Sequence, residues 1–307
     1  GAIARNRHWA VKAERQQQRV EELCGASIRA LTGQPDLRYR GRRLHKGLTP
    51  VPVRAPHLQT DPEKDDIGSY RGAADGIALR LQLSDPQIHL RLNPDEPIQR
   101  FVFELLEQLR VESLAPERLP GMQRNLRHRF TRWSLAYHRA HLTDSHIGIL
   151  IYTLAQVAWS RLNGYAVLEE TEGLIEATRF NLTPVIGDDL AGLSRERKNQ
   201  QCFARHALRI ATAVAEMISS AAGTGGADLE DAAHDGEQSE ASALAQLIDM
   251  DADGDLQPIA AATTGESRVL AEAGAGYCVF TNRHDREVAA ASLVREAYLK
   301  ELRQRLD

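Results

Sequence analysis

Apolar positions recurring three and four residues apart dominate this chain, and that spacing lines one face of an α-helix. Behind Pro97, which suits a first helical turn, Ile98, Phe101, Val102, Leu105, Leu106 and Leu109 repeat in this way. A second helix is predicted over about 143–162, where Ile147, Leu150, Ile151, Leu154, Val157 and Ala158 make a broad apolar face. Thr143 or Asp144 can cap its start and Gly164 can end it. The spacing of Trp9, Val20, Leu23, Cys24, Ile28 and Leu31 predicts a helix over about 4–31, closed by Gly33, and further helices are predicted over about 168–180 and 194–219. Between the first two of these lies a different rhythm. Leu37 and Tyr39 alternate with Arg38 and Arg40, and Val51 and Val53 flank Pro52, so 36–57 reads as a small β-hairpin. The cluster Arg40, Arg42, Arg43, His45 and Lys46 is expected on an exposed loop between its extended pieces. The fold class that follows is mainly α, a helical body with a small hairpin near the amino terminus.

Within this body the block Tyr70-Arg71-Gly72-Ala73-Ala74-Asp75, continued by Ala78-Leu79-Arg80-Leu81 and closed by Asp85-Pro86 and His89, carries the most information. On physical grounds it is a short helix between polar ends, with Asp75 as a cap and Asp85-Pro86 as a stop. Arg71, Asp75 and Arg80 can pair with one another or with a partner.

Composition sharpens this picture at the carboxyl end. The chain has 307 residues, 42% hydrophobic and 26% charged, enough to bury a core, and its net charge is −4. That charge is segregated: residues 221–266 hold eleven acids and no Lys or Arg, whereas residues 1–220 hold 31 basic and 25 acidic side chains. Three parts follow: a helical domain over 1–220, an acidic flexible linker over 221–266, and a strand and helix over 267–307, with the strand at Tyr277–Thr281. No apolar run reaches the roughly 18 residues of a membrane span, and no signal-peptide segment opens the chain, so a cytoplasmic protein is expected. Cys24, Cys202 and Cys278 are too scattered for a disulfide framework or a structural zinc site.

Candidate chemistry is sparse. Asp249, Asp251, Asp253, Gly254 and Asp255 reproduce the first half of a calcium-binding loop, but the closing bidentate Glu would fall at Ala260 and Pro258 interrupts the run. A plain acidic linker is the preferred reading, with Asp249, Asp251, Asp253 and Asp255 as weak metal candidates. His138, His141, Asp144 and His146 form the densest histidine run, yet Arg127, His128, Arg129, Arg132 and Arg139 surround it and oppose a cation. A basic solvated or protein-binding face fits better. The same run interleaves Arg with Phe130, Trp133 and Tyr137, a weak nucleic-acid signal, and no nucleic-acid partner is expected. Phosphate-loop, dinucleotide-turn, zinc-protease and nucleophile-elbow signatures are absent, and no catalytic residue is assigned.

The wording of the 70–89 block, Arg-Gly-x-Ala-Asp-x-x-Ala-Leu-Arg-Leu then Asp-x-x-x-His, resembles the CobT subunit of the aerobic, ATP-dependent cobaltochelatase. Gly121-Met122-Gln123-Arg124-Asn125-Leu126, Ala158-Trp159-Ser160-Arg161-Leu162-Asn163-Gly164, the acidic linker and Tyr277-Cys278-Val279-Phe280-Thr281 running into Asp285 resemble further landmarks of that family, in the same order. His284 and Arg286 depart from it, where the family has Phe and an acid. The resemblance implies a non-catalytic scaffold in a complex that inserts cobalt into a corrin ring. The implied partners are an AAA+ ATPase, with which CobT forms a ring-shaped complex, and a large corrin-binding subunit. ATP, magnesium and cobalt are implied for the complex, and no cofactor for this chain. Tyr70, Arg71, Gly72, Asp75, Arg80, Asp85 and His89 become family-marker or interaction candidates.

CobT proteins end in a von Willebrand A domain whose metal site begins with Asp-x-Ser-x-Ser. That motif is absent here, and Asp307 falls about where its strand would follow, so an amino-terminal portion of a longer protein is expected in preference to a natural short relative. The alternative is a von Willebrand A-type adaptor of a MoxR-like AAA+ remodelling machine with another client.

Overall fold

The computed structural model describes residues 2–40, 43–61 and 64–224, with side chains from residue 15 to 221. The candidate metal residues Asp249, Asp251, Asp253 and Asp255, the rest of the acidic segment and the strand and helix expected over 267–307 lie outside these residues. The described part is mainly helical. It runs α1 (Ala2–Thr32), a three-stranded antiparallel meander of β1 (Leu37–Arg40), β2 (Arg43–Lys46) and β3 (Thr49–Pro50), then α2 (Ile67–Leu83), α3 (Pro86–Leu92), α4 (Pro97–Glu112), α5 (Pro120–Arg139), α6 (His146–Asn163), α7 (Glu169–Glu196) and α8 (Gln200–Thr224).

The hairpin is tighter than its sequence suggests. Arg43, His45 and Lys46, expected on an exposed loop, form β2 and pair with β1 in the register Leu37↔Lys46 and Tyr39↔Leu44. The reason is Leu44, which is buried with Leu37 against Cys24 and Ile28 of α1 and Ile77 of α2, so the strand must run through the basic cluster. Alternation holds for Arg43, Leu44 and His45, with Leu44 inward, whereas Lys46 lies opposite Leu37 on the leucine face and is exposed at its edge.

Helix α2 begins well before the expected cap. Asp66 is the N-cap and accepts the Ser69 backbone N–H at 2.7 Å, which places Asp75 in mid-helix, fully buried. Asp85 likewise opens a helix as well as ending one, accepting the backbone N–H groups of Gln87 and Ile88 at the start of α3. Helix α6 is capped by Ser145 and ends at Gly164, whose φ of 70° is the left-handed conformation that glycine adopts without strain. Helix α7 runs to Glu196 and not to about 180, passing through Pro184, and α8 begins at Gln200. Buried Ile175, Leu182, Ile186, Leu190 and Leu193 recur on one face of α7 on both sides of the proline, and their burial offsets the lost backbone hydrogen bond.

Two main apolar cores result among the described residues, with a third, small cluster of Leu79, Val111, Met122 and Leu126 where α2, α4 and α5 meet. The larger joins α4, α5, α6, α7 and α8, with Phe130 stacked on Trp159 at 4.5 Å and Tyr137 on Tyr152 at 5.3 Å. The smaller joins α1, the hairpin and α2. Helix α2 bridges them by packing on α5, and Gly72 permits the close approach: a Cβ there would collide with the Asn125 carbonyl and the Arg129 Cβ.

Gly72→Ala is therefore expected to cost about 1–3 kcal/mol of stability in urea unfolding through overpacking. Gly121→Ala, where an added Cβ meets nothing within 4 Å, should stay within about 0.5 kcal/mol of the parent.

Candidate functional site

Helix α4 has two stripes. Phe101, Val102, Leu105, Leu106 and Leu109 face the large core as the periodicity predicts, while Glu104, Glu107, Gln108 and Glu112 repeat at the same spacing on the other side. A polar stripe on an amphipathic helix ordinarily faces water. Here α2, α6 and α8 all pack on α4, and every residue from Phe101 to Glu112 is buried.

Each buried charge on that stripe has a partner. Arg80 of α2 donates to Glu104 Oε2 at 2.8 Å, Nε2 of His89 lies 2.7 Å from Glu104 Oε1, and Arg54 reaches the same oxygen at 3.3 Å. The His89 ring stacks on Phe103 at 5.2 Å. One turn on, Glu107 accepts from Arg110 Nε at 2.7 Å and from Ser84 Oγ at 2.7 Å, and Arg110 also donates to the carbonyls of Leu83 and Arg197. Gln108 donates to the Gly76 carbonyl and to Glu112, whose Oε1 lies 2.8 Å from Nε2 of buried His57. Burial alone would raise the pKa of Glu104; the His89 hydrogen bond and the Arg80, His89 and Arg54 charges reverse that and hold it below the ordinary carboxylate value.

The rest of the 70–89 block divides between this ladder and a cleft. Asp75 accepts from Asn125 Nδ2 at 2.8 Å and faces Arg71 at 3.7 Å. Burial raises its pKa despite those two partners. Arg71 also donates to Ser27 Oγ of α1, and Tyr70 packs at the edge of the smaller core. Asp85 sits at the junction of α2 and α3, where its backbone N–H donates to Gln200 of α8. Thus Arg80 and His89 meet at Glu104, and Arg71 and Asp75 meet at a different place, the wall of a cleft of about 410 Å³ between α1, α2 and the start of α5. Gly121, Met122 and Asn125 line the same cleft, so the 70–75 and 121–126 blocks converge there. A neighbouring cleft of about 350 Å³ shares Pro120 and is lined by Gln123, Arg124, Arg127 and Tyr165.

Other candidates disperse. His138 contacts Thr143 Oγ1 and exposed His141 contacts Asp144, and among the described residues no group of three or more His, Cys, Asp or Glu is placed to hold a metal ion. In the basic run, Arg129 is buried and bound to Asp65, while Trp133 and Tyr137 lie in the large core. Burial pushes the Cys24 thiol up to about 11, so it stays protonated. The buried carboxylates of α4, absent from the sequence candidates, are the residues that reasoning missed; their signal was a second stripe at helical spacing.

A family model described as cobalamin biosynthesis protein CobT matches residues 14–275. The chain belongs to the CobT family. That membership gives it a role in cobalamin biosynthesis, as a component of the multi-subunit cobaltochelatase. No solved structure matches the chain. Of the family landmarks, 70–75 and 121–126 share the cleft, and 158–164 caps α6, where Trp159 stacks in the core and Ser160 Oγ donates to the Tyr165 carbonyl. No described helix is long and apolar enough to cross a membrane.

Glu104→Ala leaves Arg80 and His89 without their carboxylate and is expected to cost about 3–5 kcal/mol in urea unfolding at neutral pH. Because the native-state pKa of Glu104 is depressed, its contribution is complete above the ordinary carboxylate value and is lost as pH falls through the lower native value. Glu104→Gln should flatten the acid limb of stability against pH. Asp75 acts with opposite sign: its raised native pKa makes stability fall as pH rises between the ordinary and native values, and Asp75→Asn should remove that fall.

Proposed function

We propose that this chain is the non-catalytic scaffold of an ATP-driven cobaltochelatase, docking an AAA+ ATPase subunit and linking it to the corrin-binding subunit. Inserting cobalt into a corrin requires stripping the ion of water and displacing ring protons, and ATP hydrolysis in a partner supplies conformational work for both. On this reading the chain provides position and rigidity.

The observation that carries the reading is the outer face of α7. Leu174, Phe180 and Val185 are exposed on a helix whose other side is anchored in the core, and Phe180 keeps 78% of its surface. Ala177 and Pro184, also exposed, continue the stripe between them. An apolar stripe of this kind on a member of a multi-subunit family is a surface suited to a subunit contact. The paired charges inside α4 fit the same role, because each is committed to a structural partner and holds its helices in place.

Purified alone, the chain should neither hydrolyse ATP nor insert cobalt, and it should co-purify with the cognate ATPase. Absence of that complex under every nucleotide would overturn the reading. Phe180→Asp should abolish co-purification while leaving stability within about 0.5 kcal/mol, measured by pull-down and urea unfolding in parallel.

A further inference from the structure

The two clefts that meet at Pro120 form one basic surface. Arg118 and Arg124 are exposed along it, and Arg127 lies with its guanidinium carbon 4.8 Å from the centre of the Tyr165 ring. Arg71 closes the far end. Asp75 is the single acid lining either cleft, and it is already engaged by Asn125 and Arg71. None of Arg118, Arg124 and Arg127 has an ion-pair partner among the described residues. Between the arginines the floor is apolar: Leu31, Leu119 and Met122. A surface with this alternation takes an acidic peptide that also carries apolar side chains.

The chain contains one. Residues 228–255 hold ten acids and no Lys or Arg, and Leu244-Ala245-Gln246-Leu247-Ile248 supplies the apolar residues just before Asp249. The family match over 14–275 spans both the cleft and this segment. Length permits the contact. The 20 residues from Thr224 to Leu244 can cover up to about 65 Å, against a diameter of about 45 Å for a compact body of this size. Tethering brings the effective concentration to the millimolar range, so even weak pairing is populated.

We propose that the basic cleft at the amino-terminal end of α5 docks this chain's own acidic segment, residues 228–255. The contact is electrostatic at its ends and apolar at its centre. The proposal does not depend on the ATPase reading, whose surface lies on α7.

The test uses the full chain, with Ser242→Cys carrying a nitroxide label and Cys202 and Cys278 replaced by Ser; buried, protonated Cys24 stays unlabelled. At about 50 mM salt, where charges act over about 14 Å, the label should broaden the amide resonances of Arg118, Leu119, residues 121–127 and Tyr165. The broadening should fall at least about twofold at about 500 mM salt and in the combined variant Arg118→Glu, Arg124→Glu, Arg127→Glu. Should that variant fail to fold, the salt series and Arg124→Gln alone carry the same test. Broadening of another surface, of none, or unchanged by salt and charge reversal overturns the proposal. Broadening that appears only between a labelled copy and a separate isotope-enriched copy assigns the cleft to a second molecule and also overturns it.

Discussion

A helix that is charged on one side cannot be enclosed unless every charge on it meets a partner, and α4 is enclosed. The polar stripe of Glu104, Glu107, Gln108 and Glu112 fixes what surrounds it: α2 must bring Arg80, α3 must bring His89, and the short turn at Pro56–Leu58 must bring His57. Taking a carboxylate out of water costs several kcal/mol, which Arg80, His89 and Arg54 together repay at Glu104. Such a ladder is directional where an apolar contact is not. Rotating or sliding α4 by one residue would leave charges unpaired in the interior, so the ladder selects one register among the many that an apolar core alone tolerates.

The sequence was most legible where apolar spacing alone decides the structure. Helices α4 and α6, the hairpin, and the glycines that end α1 and α6 followed from periodicity and cap chemistry. Legibility failed where burial reversed the usual meaning of a residue. Asp75 has the composition of a cap and the position of a mid-helix acid, because Asn125, 50 residues away, supplies its partner. Pro184 has the composition of a stop, but the leucines and isoleucines on either side hold α7 together through it. Helix α5 was hidden by its basic residues, some of which point inward: Arg129 alone ties α5 to Asp65 and to the carbonyls of His57 and Gln59. The cleft was legible only as two separate sequence blocks, since nothing local in either says that they touch.

For a member of the CobT family, this division between inner and outer charge has a functional sense. Interior pairs hold the helices, leaving the outer basic edge of α5 and the apolar face of α7 as the surfaces with chemistry to spare. On the scaffold function proposed above, a body with few alternative packings is an advantage, because work delivered at one face is then not absorbed by internal rearrangement.

Gln200 shows how such a body bears load. At the first residue of α8 it donates to Ser84 Oγ and to the Asp85 carbonyl and accepts the Asp85 backbone N–H, clamping α8 to the α2–α3 junction. Helix α8 lies along α4 and α7, and the acidic stretch departs from its other end. Tension pulled along the α8 axis by whatever holds the downstream chain acts as shear. The clamp and both interfaces must then give way together, where a pull across the helix would peel them apart one turn at a time.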